Sequence, residues 1–141
     1  MALVAMPIEV TPIGVVRSTL RDRGQSPRQA FEGAPGATLE VDAEFAPALH
    51  GVTPGMELIV VTWLHEADRT ALQVHPRDEE SNPLTGVFAT RSSDRPNPVG
   101  LHRVTVLGID PPNSIQVDAL EAIDGTPILD LKVALKHSPD A

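Results

Sequence analysis

The sequence predicts a mainly β protein: a small β-barrel of about six or seven strands with long functional loops and one short helix. Fourteen prolines and ten glycines in 141 residues interrupt the chain too often for long helices. The segments between them are short and rich in Val, Ile, Leu and Thr, which favour strands. We expect one domain over residues 1–141, with its core at about residues 8–135.

Six segments are predicted as strands because their apolar residues either alternate with polar ones or run together. In the first, Pro12 indicates an edge or an interruption. The third is almost continuously apolar, so it is expected to be buried on both faces. Ala43–Leu49 is the predicted short helix of two turns, ending near Gly51 and Pro54. The six predicted strands are Glu9–Arg17, Thr38–Val41, Glu57–His65, Leu101–Ile109, Ser114–Leu120 and Pro127–Leu135.

Two polar segments, Leu20–Gly36 and Glu66–Gly100, are too long to be simple connections. Loops of this length in a compact domain are usually functional or disordered. These two contain most of the nine arginines, whereas the chain has only two lysines. A planar guanidinium binds carboxylate or phosphate through two hydrogen bonds, which suggests recognition of an anion. The alternative is a solvated face on which the arginines form salt bridges.

The composition excludes several classes of protein. There is no cysteine, so disulfides, thiolate zinc sites and cysteine nucleophiles are ruled out. The histidines show no metal-binding spacing, and we expect no metal. No P-loop, Rossmann or nucleophile-elbow pattern is present, and no apolar run is long enough to span a membrane. A cytoplasmic location is expected. The formal charge of −8 argues against binding a polyanion with the whole surface.

The densest group of polar side chains lies in Gly86–Leu101. Pro96 and Pro98 restrict the backbone of this loop, so it loses little entropy when it orders around a ligand. Its hydroxyl and amide groups are neutral hydrogen-bonding partners, and Arg91 and Arg95 are anion ligands. The alternative is a rigid turn whose arginines pair with Asp94 or with the acidic residues 78–80.

The motifs GVFATRS (86–92) and RPNPVGL (95–101) resemble the hallmark of the TsaA-like family, also called YaeB or TrmO. Other segments resemble the family in the same order along the chain. Several separated motifs therefore support the same family, and together they extend the resemblance over about residues 11–132. The further segments are Pro12–Ser18, Ser26–Ala30, Leu58–His65, His75–Arg77 and Asp124–Lys132.

The resemblance implies a single-sheet barrel that binds S-adenosylmethionine, usually as a homodimer, and methylates N6 of a threonylcarbamoyl-modified adenosine in tRNA. The acceptor amine also loses a proton in this reaction, so His65 or Asp124 is expected as the base, with water as the alternative. Arg95 and Asn97 would shape the pocket or lie across the dimer interface. The implied cofactor contacts are Pro27, Arg28, Gln29, His65, Arg77, Phe88, Ala89, Thr90, Arg91, Asp124, Gly125 and Thr126.

Two departures from the family pattern keep alternatives open. Residues 130–134 read Asp-Leu-Lys-Val-Ala where the family commonly has Asp-Ile-Lys-Pro-Tyr, and the chain has no tyrosine. Some tRNA-modifying members also have a further C-terminal domain, whereas this chain is expected to end shortly after the barrel. The alternatives are a methyltransferase for a different acceptor and an S-adenosylmethionine-binding module without catalysis.

Overall fold

Six antiparallel strands form a closed barrel in the computed structural model, which describes residues 6–23 and 33–136. The six strands are β1 (Gly14–Arg17), β2 (Ala37–Val41), β3 (Glu57–Trp63), β6 (Val99–Asp110), β7 (Ser114–Val117) and β8 (Pro127–Val133), and a separate two-stranded sheet is formed by β4 (Gln73–Val74) and β5 (Thr85–Gly86). Around the barrel the strands follow the order β1-β2-β7-β6-β3-β8. The predicted mainly β class is therefore confirmed.

All six predicted barrel strands are present, with shifted ends. The first begins at Gly14 instead of Glu9, after the interruption expected from Pro12. At Gly14 the strands approach so closely that an added Cβ would lie 2.8 Å from the Cα of Val41, which only glycine avoids. The predicted helix is a 3₁₀ helix at Ala43–Leu49 with Pro47 inside it. The short β4–β5 sheet was not predicted, because a two-residue strand has no periodicity to detect.

The barrel interior is aliphatic over most of its length. Leu39 and Ile115 face each other across β2 and β7, and both are fully buried. On β3 three consecutive residues, Leu58 to Val60, are buried, so this part of the strand is covered on both faces as predicted. Val61 is only half-buried, because the second half of the strand returns to alternating burial.

The two longest connections, β3–β6 and β1–β2, and the shorter β7–β8 connection leave the barrel at the same end. Trp63 pairs with Val99, so the loop from β3 to β6 begins and ends there. Thr62 pairs with Ile128, which places the β7–β8 connection at that end as well. The β1–β2 connection follows Arg17, near the start of β8. Antiparallel pairing therefore brings segments that are far apart in sequence to one end of the barrel. No helix in the described residues is long and apolar enough to cross a membrane.

Candidate functional site

A cavity of about 890 Å³ lies at the loop end of the barrel. Its wall consists of the loop between β3 and β6, the first residues of β6, the connection that follows β7 and Arg23 from the connection after β1. Ligand sites of proteins commonly have 300–1,000 Å³, so this cavity has room for a small organic molecule. Much of the polar segment Gly86–Leu101 thus contributes to the wall of this cavity.

One arginine holds the loop of residues 87–92 in shape. The Nε of Arg95 donates to the carbonyl of Ser92 at 2.8 Å, and its Nη2 donates to the carbonyls of Val87 (2.5 Å) and Thr90 (2.7 Å). The Thr90 hydroxyl adds a bond to the Val87 carbonyl at 2.9 Å. Because the guanidinium has donors in a fixed planar arrangement, it fixes three backbone carbonyls at once.

A second arginine, which the sequence analysis did not single out, anchors Asn97. Arg69 donates to the Pro96 carbonyl at 2.7 Å and to Oδ1 of Asn97 at 3.2 Å. Its guanidinium also lies over the Trp63 ring, 4.9 Å from the centroid. Asn97 is exposed and does not belong to the cavity wall, so its described contacts are those of a loop anchor.

Arg23 connects the first long loop to the second. It donates to the Glu66 carbonyl at 3.1 Å and forms an ion pair with Asp94 at 2.8 Å. Asp94 also accepts a bond from the backbone N–H of Asp68 at 2.8 Å. The hydroxyl and the backbone N–H of Thr70 donate to Asp68, and these bonds lower the pKa of its carboxyl group. The salt-bridge reading of the arginines thus holds for Arg23.

Asp124 is held by the end of the first strand. Its carboxylate accepts a bond from the backbone N–H of Ser18 at 3.0 Å and lies 3.1 Å from Arg21 and 3.7 Å from Arg17. The next residue, Gly125, has a φ of 85°, which favours glycine, and its N–H donates to the Val16 carbonyl. Neither residue is part of the cavity wall.

Most of the predicted cofactor contacts do lie on the cavity wall. Phe88 stands at its rim with 86% of its surface exposed. Arg77 and Asp78, which also line the cavity, have positive φ values of 59° and 57°. This backbone conformation is strained in residues other than glycine, and such strain is commoner at functional sites. Pro27, Arg28 and Gln29 lie outside the described residues. The predicted residues on the wall are His65, Arg77, Phe88, Ala89, Thr90, Arg91, Arg95 and Thr126.

The sequence analysis missed a buried polar group in the cavity wall. His102 is 5% exposed; its Nε2 lies 2.7 Å from the Thr62 hydroxyl, and its Nδ1 lies 2.6 Å from Oε1 of Glu121. Both His102 and Glu121 line the cavity. One signal was available, because His102 takes an inward position on β6 in register with the buried Val104 and Val106. In the described residues no group of three or more His, Asp or Glu side chains could hold a metal ion.

Comparisons with known proteins agree on one family. The family model of the tRNA-methyltransferase O N-terminal domain matches residues 15–139. The chain is 36% identical to a probable S-adenosyl-L-methionine-binding protein of Methanothermobacter thermautotrophicus, covering 90% of both chains. It is 37% identical to an S-adenosyl-L-methionine-binding protein of Archaeoglobus fulgidus, covering 92% of this chain and 88% of the relative.

Solved structures show the same relationship. The crystal structure of TrmO from P. aeruginosa matches with a TM-score of 0.75 and 29% identity. That match covers 97% of this chain but 59% of the TrmO chain, so the chain spans about three fifths of its length. A family model over most of the chain and relatives above 30% identity establish the relationship that the Gly86–Leu101 motifs predicted. The chain belongs to the family of the tRNA-methyltransferase O N-terminal domain.

Proposed function

We propose that the chain binds S-adenosylmethionine in the cavity at the loop end of the barrel and transfers its methyl group to N6 of a threonylcarbamoyl-modified adenosine in tRNA. The carrying observation is the cavity itself: motifs shared with the family form a wall around about 890 Å³. The names of the relatives, which refer to S-adenosyl-L-methionine binding, support the same ligand. The homodimer and the cytoplasmic location predicted from the sequence belong to this proposal.

The cavity wall offers partners for the two ends of the ligand, its carboxylate and its adenine. Arg77 and Arg91 are exposed on the wall and suit the carboxylate of the methionine part. The exposed face of Phe88 suits stacking with the adenine. Arg95 keeps the loop between these groups in one conformation, which reduces the entropy lost on binding.

The transfer requires little covalent chemistry from the protein. When bound, S-adenosylmethionine supplies a methyl group on a sulfonium cation, and the acceptor nitrogen must be held in line with the S–CH₃ bond. That nitrogen also loses one proton. Of the two predicted bases, His65 lies on the cavity wall, whereas the Asp124 carboxylate lies between two arginines outside it. We therefore assign the proton transfer to His65.

The experiment is single-turnover transfer of a labelled methyl group from S-adenosylmethionine to total tRNA, followed by nucleoside analysis. Label in N6-methylated threonylcarbamoyl-adenosine supports the proposal. His65→Gln should slow the transfer by a larger factor than it raises the Kd of the cofactor, since the proposed role of the histidine is to take a proton from the acceptor. If the cofactor binds in calorimetry but no nucleoside is labelled, the tRNA reaction is wrong. If no binding is measured, the cofactor assignment is wrong as well.

The formal charge of −8 favours a second candidate, a methyltransferase for a small acceptor. RNA binding depends on neutralising phosphates with Lys and Arg, and an acidic protein attracts RNA weakly. The changed residues at the end of β8 do not decide between the two candidates, because Leu131, Val133 and Ala134 all lie outside the cavity wall. Binding of tRNA that weakens steeply with salt would favour the tRNA reaction, and salt-independent or absent binding would favour the small acceptor.

A further inference from the structure

One tight turn of the cavity wall carries a histidine that the proposed function has not used. His75, Pro76, Arg77 and Asp78 all line the cavity, and the turn is closed by a hydrogen bond from the N–H of Asp78 to the carbonyl of His75 at 2.9 Å. Pro76 restricts the second position of the turn, and Arg77 at the third has a φ of 59°, where glycine is usual. The turn therefore fixes the backbone from which both His75 and Arg77 extend.

Asn82, which lies outside the cavity wall, holds this turn at two points. Its side-chain N–H donates to the carbonyl of Pro76 at 2.7 Å, and its own carbonyl oxygen lies 2.8 Å from Nδ1 of His75. A carbonyl oxygen can only accept a hydrogen bond, so Nδ1 of His75 carries the hydrogen. In the neutral ring Nε2 then has no hydrogen and is a hydrogen-bond acceptor.

The three histidines of the cavity wall differ in what their rings can do. Both nitrogens of His102 are used, one by the Thr62 hydroxyl at 2.7 Å and the other by Glu121 at 2.6 Å. His65 is exposed, and within the described residues no hydrogen bond fixes its ring. In His75 one nitrogen is fixed by a carbonyl, and the contacts of the described chain leave Nε2 available. His75 thus offers the cavity one acceptor in a defined tautomer.

The place of this acceptor beside Arg77 indicates which ligand group it meets. The guanidinium of Arg77 suits the carboxylate of the methionine part. In an α-amino acid the carboxylate and the ammonium group are bonded to the same carbon, so their partners have to lie close together. His75 and Arg77 are two residues apart in one turn, and an ammonium group has only N–H donors. The ammonium group therefore complements Nε2 of His75.

We infer that Nε2 of His75 accepts a hydrogen bond from the α-ammonium group of the ligand, so that the turn held by Asn82 recognises the amino-acid end of S-adenosylmethionine. The inference rests on the proposed function and adds a residue that selects ligands with an α-amino group. His75 is a binding residue here and takes no part in the transfer of the methyl group. A ligand without the amino-acid end should therefore not respond to a change at position 75.

The test is calorimetric measurement of Kd for three ligands, with the wild-type chain and with His75→Asn. The asparagine keeps an N–H near the position of Nδ1, which still donates to the Asn82 carbonyl, but it has no acceptor at the position of Nε2. We expect about tenfold weakening for S-adenosylmethionine, because a hydrogen bond to a charged group is lost. S-Inosylhomocysteine keeps the amino-acid end and lacks the adenine amine, so it should weaken by the same factor. The Kd of 5′-methylthioadenosine, which lacks the amino-acid end, should change less than about twofold.

His50→Asn is the matched control, because His50 is exposed and lies outside the cavity wall. It should leave all three Kd values unchanged. Unchanged affinity for S-adenosylmethionine in His75→Asn would overturn the inference, and so would equal weakening for all three ligands, which a merely structural role predicts. Weakening for S-adenosylmethionine without weakening for S-inosylhomocysteine would overturn it in favour of the adenine amine.

A second measurement uses the wild-type chain and covers the case in which His75→Asn does not fold. The ¹⁵N signal of Nε2 in His75 should move further at saturation with S-adenosylmethionine or S-inosylhomocysteine than with 5′-methylthioadenosine. Equal movement with all three ligands would contradict the inference while the cofactor assignment stands. If the wild-type chain does not bind S-adenosylmethionine, the proposed function is wrong and the inference fails with it.

Discussion

The two halves of the barrel interior use the same strands and different chemistry. In one half, β3 and β6 contribute Leu58, Val104 and Val106, all at most 2% exposed, to an aliphatic core. In the half toward the loops, the same two strands contribute Thr62, Gly100 and His102 to a polar cluster beside the cavity. Position along one strand therefore separates the residues that stabilise the fold from those that meet a ligand.

The largest expected effect comes from the aliphatic half. Ile115→Ala removes a fully buried side chain that faces Leu39, and it should lower the free energy of unfolding by about 2–5 kcal/mol. Urea denaturation measures this loss. Leu107→Ala is the control, because that leucine is 61% exposed and its loss should change stability by at most about 0.5 kcal/mol. Comparable losses for both variants would contradict the described core. The ligand affinity of folded Ile115→Ala should remain that of the wild type.

The next effect comes from the polar half. Gly100→Ala places a methyl group against Nε2 of His102 and the Thr62 hydroxyl, so it should cost about 1–3 kcal/mol of stability and separate the two side chains. It should also weaken the binding of S-adenosylmethionine, because Gly100 and the displaced His102 both line the cavity. Thermal denaturation and calorimetry measure the two effects. Gly86→Ala is the control for stability, since its added Cβ would lie 4.0 Å from the nearest atom. Equal tolerance of both alanines would refute the close packing at position 100.

A smaller effect is expected where the cavity wall is held by hydrogen bonds alone. Arg95→Lys replaces a guanidinium that binds three carbonyls with a single ammonium group. The loop of residues 87–92 should lose its fixed shape, and the Kd for S-adenosylmethionine should rise about tenfold, or about 1.4 kcal/mol. Arg103→Lys, on a side chain outside the cavity wall, should leave the Kd unchanged. Unchanged affinity in Arg95→Lys would show that the wall does not depend on this arginine.

The smallest expected effect is a pH dependence in the same loop region. Thr70 lowers the pKa of Asp68 in the folded chain. The pair therefore stabilises the fold at pH values above about 4, which is the pKa of aspartate in the unfolded chain. The contribution is lost as the pH falls through the lower, folded pKa. Thr70→Val removes the hydroxyl that donates to Asp68. Its Tm should therefore be slightly below that of the wild type at pH 7, and the difference should shrink at pH 3. A difference that grows at pH 3 would contradict the direction of the shift.

The strands were predictable because burial in a barrel leaves a local pattern in the sequence. Alternating or continuous apolar residues located all six barrel strands, and proline positions explained why the first one starts late. The loop of residues 87–91 was predictable for a different reason, since its motif is shared with the family. Both kinds of signal are contained within a few consecutive residues.

The parts of the site that were not predictable depend on register between distant segments. Glu121 lies 19 residues from His102, and His102 lies 40 residues from Thr62. The pairing of Asp124 with Arg21 joins residues 103 positions apart, and this places the predicted base between arginines outside the cavity wall. No local pattern states which loops share one end of a barrel, so the structure is needed to assign these roles.

The most direct test of the central claim is the titration of S-adenosylmethionine into protein whose histidine rings carry ¹⁵N, observed by NMR. Of the four histidines in the described residues, His65, His75 and His102 line the cavity, whereas His50 is exposed and lies outside it. We expect saturable shifts of the three ring signals from the cavity and none from His50. The absence of any shift, or a shift confined to His50, would contradict the assignment of this cavity as the cofactor site.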